Sequence, residues 1–166
     1  MRFHNITKDD MLNGEGLRTV LWVAGCIHGC KGCHNEVTWD IHGGIPFDEA
    51  ARDELFLALK PDYIDGLTLS GGDPFHPDNR ADIYQLVKDV REKFPTKTIW
   101  SYTGFMWNDI CHLPVIPLLD VIVDGKFIQA LLSPALPWVG SSNQRVIDVQ
   151  KTLKQNSKAP ILWESI

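Results

Sequence analysis

The chain has 166 residues, 16 basic against 21 acidic side chains for a formal net charge of −5, and is 44% hydrophobic and 22% charged. That length fits one domain burying roughly two thirds of its unfolded surface, and the composition excludes a disordered chain. The acidic balance leaves no electrostatic footprint for a polyphosphate backbone, which excludes nucleic acid as a partner.

Residues 1–17 are polar, with Arg2, Lys8, Asp9, Asp10 and Glu15, and lack the apolar run and cleavage site of a secretory signal. The longest apolar stretches, residues 20–24 and 115–119, fall far short of the roughly 20 residues that span a bilayer. A soluble, cytoplasmic protein with no membrane partner is expected. Residues 17–23 (LRTVLWV) predict a strand that Gly25 ends. Residues 26–44, rich in Gly, His and Cys and without a period, read as a loop-dominated site segment.

Asp48 caps a predicted helix running to about Leu59, with Ala51, Leu55, Ala58 and Leu59 on one face and Pro61 as its stop. Residues 64–70 form a second predicted strand, halted by Gly71-Gly72. Asp78 opens a helix in which Ile83, Leu86, Val87, Val90 and Phe94 follow the 3.6-residue period, and Pro95 closes it. Residues 97–102 and 118–123 are the third and fourth strands, with an edge strand near Val146; residues 150–166 carry no assignment.

Strands alternating with helices predict parallel βαβ units, an α/β fold. Four such strands are too few to close an eight-stranded barrel, so an open sheet or partial barrel is expected. The chemistry-rich turns (residues 24–34, 71–75, 103–105 and 124–126) all fall at the carboxyl ends of the strands, where parallel sheets bind ligands.

Three of the four cysteines, Cys26, Cys30 and Cys33, lie in a C-x3-C-x2-C run interleaved with Gly25, Gly29 and Gly32. In a reducing compartment such clustering reads as metal ligation, and thiolates favour zinc or iron–sulfur over hard cations. Structural zinc wants four ligands, which would have to come from His28, His34 or Cys111. A [4Fe–4S] cluster on three cysteines leaves one iron open for a substrate or cofactor. Spacing leaves both readings open and prefers the cluster. Cys111 is expected to be a buried, inert small hydrophobe, and His28 to hydrogen-bond locally. Tyr102, Phe105 and the tryptophans (22, 39, 100, 107, 138 and 163) are expected as core or interface anchors.

The cysteine loop directly after a first strand resembles the radical S-adenosylmethionine superfamily. More closely, the chain resembles the glycyl-radical activating enzymes of anaerobic ribonucleoside-triphosphate reductases. The strings that carry this are Asn13-Gly14-Glu15-Gly16, Cys33-His34-Asn35, Thr38-Trp39, Ser70-Gly71-Gly72-Asp73-Pro74, Tyr102-Thr103-Gly104-Phe105, Val123-Asp124-Gly125-Lys126-Phe127 and Gly140-Ser141-Ser142-Asn143-Gln144-Arg145, in the family's order over about residues 1–147.

The resemblance implies a partial (open) β/α barrel of the radical S-adenosylmethionine type, mostly parallel, over residues 1–150, with a tail at 151–166 of unknown role. Cys26, Cys30 and Cys33 would ligate a [4Fe–4S] cluster whose fourth iron chelates S-adenosylmethionine. Gly32 and His34, flanking Cys33, would line the adenosyl group, and Gly71 and Gly72 would bring backbone close to the cofactor. Asp73 stands where the superfamily has a glutamate, one methylene longer, and would help hold the cofactor's ammonium. Asp124 and Lys126 would address its ribose hydroxyls and carboxylate, with Ser101 and Thr103 as neighbours.

The implied reaction is reductive cleavage of S-adenosylmethionine to a 5′-deoxyadenosyl radical that makes a glycyl radical on the large subunit of the reductase. A low-potential, flavodoxin-like protein would supply the electron. The competing readings are an activating enzyme for a different glycyl-radical enzyme or another enzyme of the superfamily, and a zinc-stabilised interaction module, which metal analysis separates.

Overall fold

The computed structural model of the chain describes residues 1–156 and 159–164. Its strands are β1 (Arg2–Asp10), β2 (Arg18–Val23), β3 (Ile45–Pro46), β4 (Gly66–Gly71), β5 (Thr98–Tyr102), β6 (Val121–Asp124) and β7 (Arg145–Asp148). They form one sheet in the order β3-β1-β2-β4-β5-β6-β7. The helices are α1 (Glu49–Leu59), α2 (Arg80–Lys93), α3 (Trp107–Ile110) and α4 (Val149–Lys154). The architecture is mixed α/β with an open sheet.

The pairs β2–β4, β4–β5 and β5–β6 are parallel, while β1, β3 and β7 add antiparallel edges. The four parallel strands are those expected from the sequence, and β7 is the edge strand at Val146. Their spatial order follows the chain without reversal. Right-handed crossovers then place the connecting helices on the same face. On that face Leu21, Val23, Leu67, Leu69, Ile99 and Ile122 pack against Leu55 and Leu59 of α1 and Ile83, Val87 and Val90 of α2. Each fully buried side chain of this kind contributes roughly 1.5–3 kcal/mol.

The period-two alternation of the strands turns their other residues to the opposite face. There Trp100, Val121 and Val123 form a second cluster with Tyr102, Trp138, Val139, Val146 and Trp163. Trp100 meets Trp138 and Trp163 edge-on at 5.1 and 5.7 Å. Among the described residues this face carries no α-helix of its own, and the clefts described below open on it.

Helix α1 begins as expected, with Asp48 Oδ1 accepting from the Ala51 amide at 3.0 Å. Asp48→Ala is expected to lower stability by about 1 kcal/mol, read as a lower urea midpoint at unchanged slope. Helix α2 begins at Arg80 with Asn79 at its N-cap, one residue beyond the Asp78 expected to open it.

Strands β1 and β3 have no counterpart in the sequence reading. In β1 only Phe3 and Ile6 are buried. Register shifts between Phe3 and Asn5 and between Thr7 and Asp10 break its period. β3 is only two residues long.

Cys111 is exposed, which corrects the expectation of a buried thiol. It follows a four-residue helix that buries Trp107 and Ile110 and turns Cys111 outward. Part of the unassigned tail is ordered: α4 is capped by Asp148, which accepts from the Lys151 amide at 2.8 Å. The chain then returns along β7, where the Trp163 amide donates to the Val146 carbonyl at 2.8 Å. Residues 157, 158, 165 and 166 of that tail lie outside the described residues. Among the described residues no helix is long and apolar enough to cross a membrane.

Candidate metal centre

Strand β2 ends at Val23, and the chain turns at once into the cysteine loop. The Gly25 and Cys26 amides donate to the Thr38 and Trp39 carbonyls at 2.8 and 3.0 Å, which fixes the loop's start. The Cys33 amide donates to the Cys30 carbonyl at 3.1 Å, curling the second half into a turn. Gly32 has φ +74, and a Cβ there would press on the Gln129 carboxamide at 2.9 Å. The positive φ favours glycine there, and the exposed Gln129 side chain packs over the space a Cβ would take.

Cys26, Cys30 and Cys33 are half-buried free thiols. The Asn35 amide points at Cys33 Sγ from 3.4 Å. Burial pushes the Cys26 thiol up, while the His28 and Gly29 amides favour its thiolate. Amides aimed at sulfur are what an iron–sulfur centre uses to stabilise coordinated thiolates. Among the described residues no three His, Cys, Asp or Glu side chains converge as ligands of a single ion. Three free thiols on one loop suit a cluster, which takes each thiolate on a different iron. The donor set therefore fits a [4Fe–4S] group.

Two joined clefts flank the loop. The smaller, of about 150 Å³, is lined by all three cysteines, Gly71, Gly72 and Gly104. The larger, of about 680 Å³, runs from Cys33 and His34 across Trp22 to Met11 and Trp138. A cavity of that size suits a nucleoside-sized ligand. Cys33, Asn35, Ser70, Tyr102, Phe127 and Gln144 line both, marking the junction. Burial raises the Tyr102 phenol well above its usual range, so it stays protonated and able to donate.

The strand ends on the rim divide into two kinds. Gly71 and Gly72 present bare backbone to the smaller cleft. A Cβ on Gly71 (φ +103) would sit 2.6 Å from both the Val23 amide nitrogen and carbonyl oxygen. Asp73 and Asp124 instead lie behind the rim, 1% and 0% exposed. Asp73 accepts from the Phe75 amide at 2.8 Å and the Gly104 amide at 3.0 Å, and from the Thr103 hydroxyl. Asp124 accepts from the Trp107 amide at 2.8 Å and holds Arg145 through both oxygens.

Of the residues picked from the sequence, Cys26, Cys30, Cys33, His34, Gly71 and Gly72 border the clefts. Gly32 sits between two ligands, and Lys126 is exposed outside both clefts. Ser101 is fully buried, whereas Thr103 reaches Asp73. His28, expected to bond locally, instead pairs with Asp73, 45 positions away.

Ser70 and Gln144 had no role in the sequence reading beyond their place in the family strings, and Tyr102, expected as a core or interface anchor, borders both clefts. Gln144 accepts from the Gly140 and Ser141 amides at 2.9 and 3.1 Å and donates to the Gly125 carbonyl at 2.9 Å. It thereby clamps the 140–145 loop onto the turn after β6.

Comparison with known proteins agrees with this arrangement. The chain matches the family described as a 4Fe-4S single cluster domain over residues 12–147. It is 43% identical over 150 residues to the anaerobic ribonucleoside-triphosphate reductase-activating protein of Escherichia coli K12, covering 88% of this chain and 97% of that protein. The protein of the same name from Enterobacteria phage T4 is 44% identical over 146 residues, covering 88% and 93%. That of Vibrio cholerae is 42% identical over 148 residues, covering 87% and 96%. With this identity along nearly the whole of both chains, and a thiol loop fit for the cluster, the chain belongs to the family of anaerobic ribonucleoside-triphosphate reductase-activating proteins.

Proposed function

We propose that this chain activates an anaerobic ribonucleoside-triphosphate reductase, with a [4Fe–4S] cluster on Cys26, Cys30 and Cys33 and S-adenosylmethionine in the adjoining clefts. The observation that supports this most is the loop of three free thiols opening directly onto a cleft of about 680 Å³. When bound, the cluster and S-adenosylmethionine supply one-electron cleavage of the sulfonium, giving methionine and a 5′-deoxyadenosyl radical that takes a hydrogen atom from a glycine of the reductase. The single-wound parallel strands, with helices on one face and clefts on the other, fit a partial barrel of the radical S-adenosylmethionine type over residues 1–150.

The chain's own residues hold and shield. Cys26, Cys30 and Cys33 would hold three irons and leave one for the cofactor's amino and carboxylate groups. Gly71 and Gly72 would let that end approach backbone amides, and His34 would border the adenosyl group beside Phe127, whose ring lies 6.1 Å from that of His34, with Gly32 shaping the loop ahead of Cys33. Ser70, Tyr102 and Asn35 offer hydrogen bonds at the cleft junction. Asp124 serves through Arg145 and the start of α3, and exposed Lys126 is free to swing toward the cofactor's carboxylate. Trp22, Trp138 and Phe127 exclude water, which keeps stray hydrogen donors from a primary radical. A low-potential, flavodoxin-like donor is the electron source in this scheme, in the cytoplasm.

The test is anaerobic reconstitution with iron and sulfide, followed by S-adenosylmethionine, a strong reductant and the reductase. The expected products are 5′-deoxyadenosine by chromatography and a glycyl-radical resonance on the reductase. A cluster-loaded sample giving neither product, with the reductase present, overturns the proposal.

A further inference from the structure

Between the first two thiols of the loop stands His28, whose side chain is only 6% exposed. Its Nε2 lies 2.6 Å from Asp73 Oδ2. Its ring meets Phe105 edge-on at 4.6 Å, and a Cβ on Gly104 would run into it. Among the described residues no other hydrogen bond ties residues 27–32 to the chain outside the loop.

Asp73 is as fully committed as His28 is enclosed. Oδ1 accepts from the Phe75 amide at 2.8 Å and the Thr103 hydroxyl at 3.0 Å. Oδ2 accepts from Thr103 at 2.9 Å, Gly104 at 3.0 Å and His28. An ionised carboxylate has about four acceptor sites, and these donors fill them. Its neighbours Gly71, Gly72, Thr103 and Gly104 border the smaller cleft, but Asp73 borders neither cleft.

We propose that Asp73 is a positioning residue acting through His28. The pair is a latch that holds the Cys26–Cys30 half of the loop in ligating geometry, and so sets how fast the cluster is taken up and how well it is kept. In this role Asp73 makes no direct contact with the cofactor's ammonium. The inference rests on the reading that Cys26, Cys30 and Cys33 hold the cluster. Because Asp73 is anchored to the ends of β4 and β5, the latch ties the loop to the two strand turns facing it. A loop otherwise fixed only at its start would lose more conformational freedom on binding iron.

The experiment compares the full chain with His28→Ala, His28→Gln, Asp73→Ala and the double Ala variant. The readouts are the rate at which the iron–sulfur chromophore grows during anaerobic reconstitution, its rate of loss to a chelator, and S-adenosylmethionine affinity of the loaded protein. His28→Ala leaves the other donors to Asp73 in place, so it separates the latch from folding.

Each Ala variant is expected to slow uptake or speed loss by about tenfold or more, the range for groups that orient metal ligands. The double variant is expected to be no worse than Asp73→Ala alone, and His28→Gln, which keeps an N–H donor, to recover most of the rate. Cofactor affinity of the loaded Asp73→Ala chain should fall no further than that of the loaded His28→Ala chain, since Asp73 borders neither cleft whereas His28 lines the smaller one.

Wild-type rates in both Ala variants overturn the latch, as do additive effects in the double variant. A large loss of cofactor affinity in Asp73→Ala but not His28→Ala, with uptake unchanged, overturns it in favour of direct ammonium binding. A wild-type chain that takes up no cluster sinks the metal reading itself, a result distinct from the others.

Discussion

A Cys30→Ala chain is expected to fold, to lose most of its iron after reconstitution and to release 5′-deoxyadenosine at least about a thousandfold more slowly, a barrier increase of about 4 kcal/mol. The structural cost is small because Cys30 is half-buried and free, and its only hydrogen bond among the described residues is through its carbonyl. The functional cost is large because a three-thiolate site has no spare ligand: His28 is occupied by Asp73, and Cys111 is exposed and bonded at most weakly to Asn108 at 3.9 Å. Cys111→Ala is therefore the matched control and should leave iron content and product unchanged. Iron analysis, the visible absorption of the reconstituted protein and product chromatography read both variants. A Cys30→Ala chain that keeps a full cluster and wild-type turnover would show that another residue ligates the iron.

What could be read from the sequence follows where the determining contacts lie. The parallel strands were legible because Leu21, Leu67, Leu69, Ile99 and Ile122 are buried in short apolar runs bounded by glycines. The helices were legible because Leu55, Leu59, Ile83 and Val87 keep a helical period between a capping residue and a proline. β1 was not, because two register shifts spoil its alternation and its pairing with β2 is decided by tertiary contact.

The thiol loop was legible from three residue types at fixed spacing. The destinations of His28, Asp73 and Asp124 were not, since each has a deciding partner 17 to 45 positions away. A sequence shows that these groups can hydrogen-bond, and only the fold shows which partner reaches them. The family strings named Asp73 and Asp124 as site residues. Their side chains face inward to brace the rim, and the polar groups bordering the smaller cleft beside the thiols and glycines include His28, Asn35, Ser70, Tyr102, Thr103 and Gln144.

Arg18→Ala is expected to cost roughly 3–5 kcal/mol of stability, the combined cost of truncating a large buried side chain and leaving buried acceptors without a donor. Arg18 opens β2 and is fully buried, yet among the described residues no carboxylate pairs with it. Its guanidinium instead donates to the Thr68 hydroxyl at 2.6 Å, the Leu67 carbonyl at 2.7 Å, the Thr98 hydroxyl at 2.9 Å and the Glu15 carbonyl at 3.0 Å. It lies over the Trp100 ring at 5.2 Å. Burial lowers it to about 10, so it remains charged at neutral pH. Truncation leaves carbonyls without a donor and a cavity beneath Trp100, and both terms destabilise.

Arg18→Met restores volume but no donors, so about 1–3 kcal/mol of the loss should remain. The difference between the two variants isolates the packing contribution. The same side chain fixes the segment that walls the larger cleft, because Arg18 holds Glu15 while Thr68 donates to the Asn13 carbonyl at 2.8 Å. Met11, Leu12 and Asn13 line that cleft. Arg18→Met should therefore bind S-adenosylmethionine more weakly while taking up iron at the wild-type rate, because the cysteine loop lies at the opposite end of β2. Urea unfolding at constant slope gives the stability loss, and a drop below about 1 kcal/mol for Arg18→Ala would show the network to be dispensable, at odds with the cost of leaving buried acceptors unpaired.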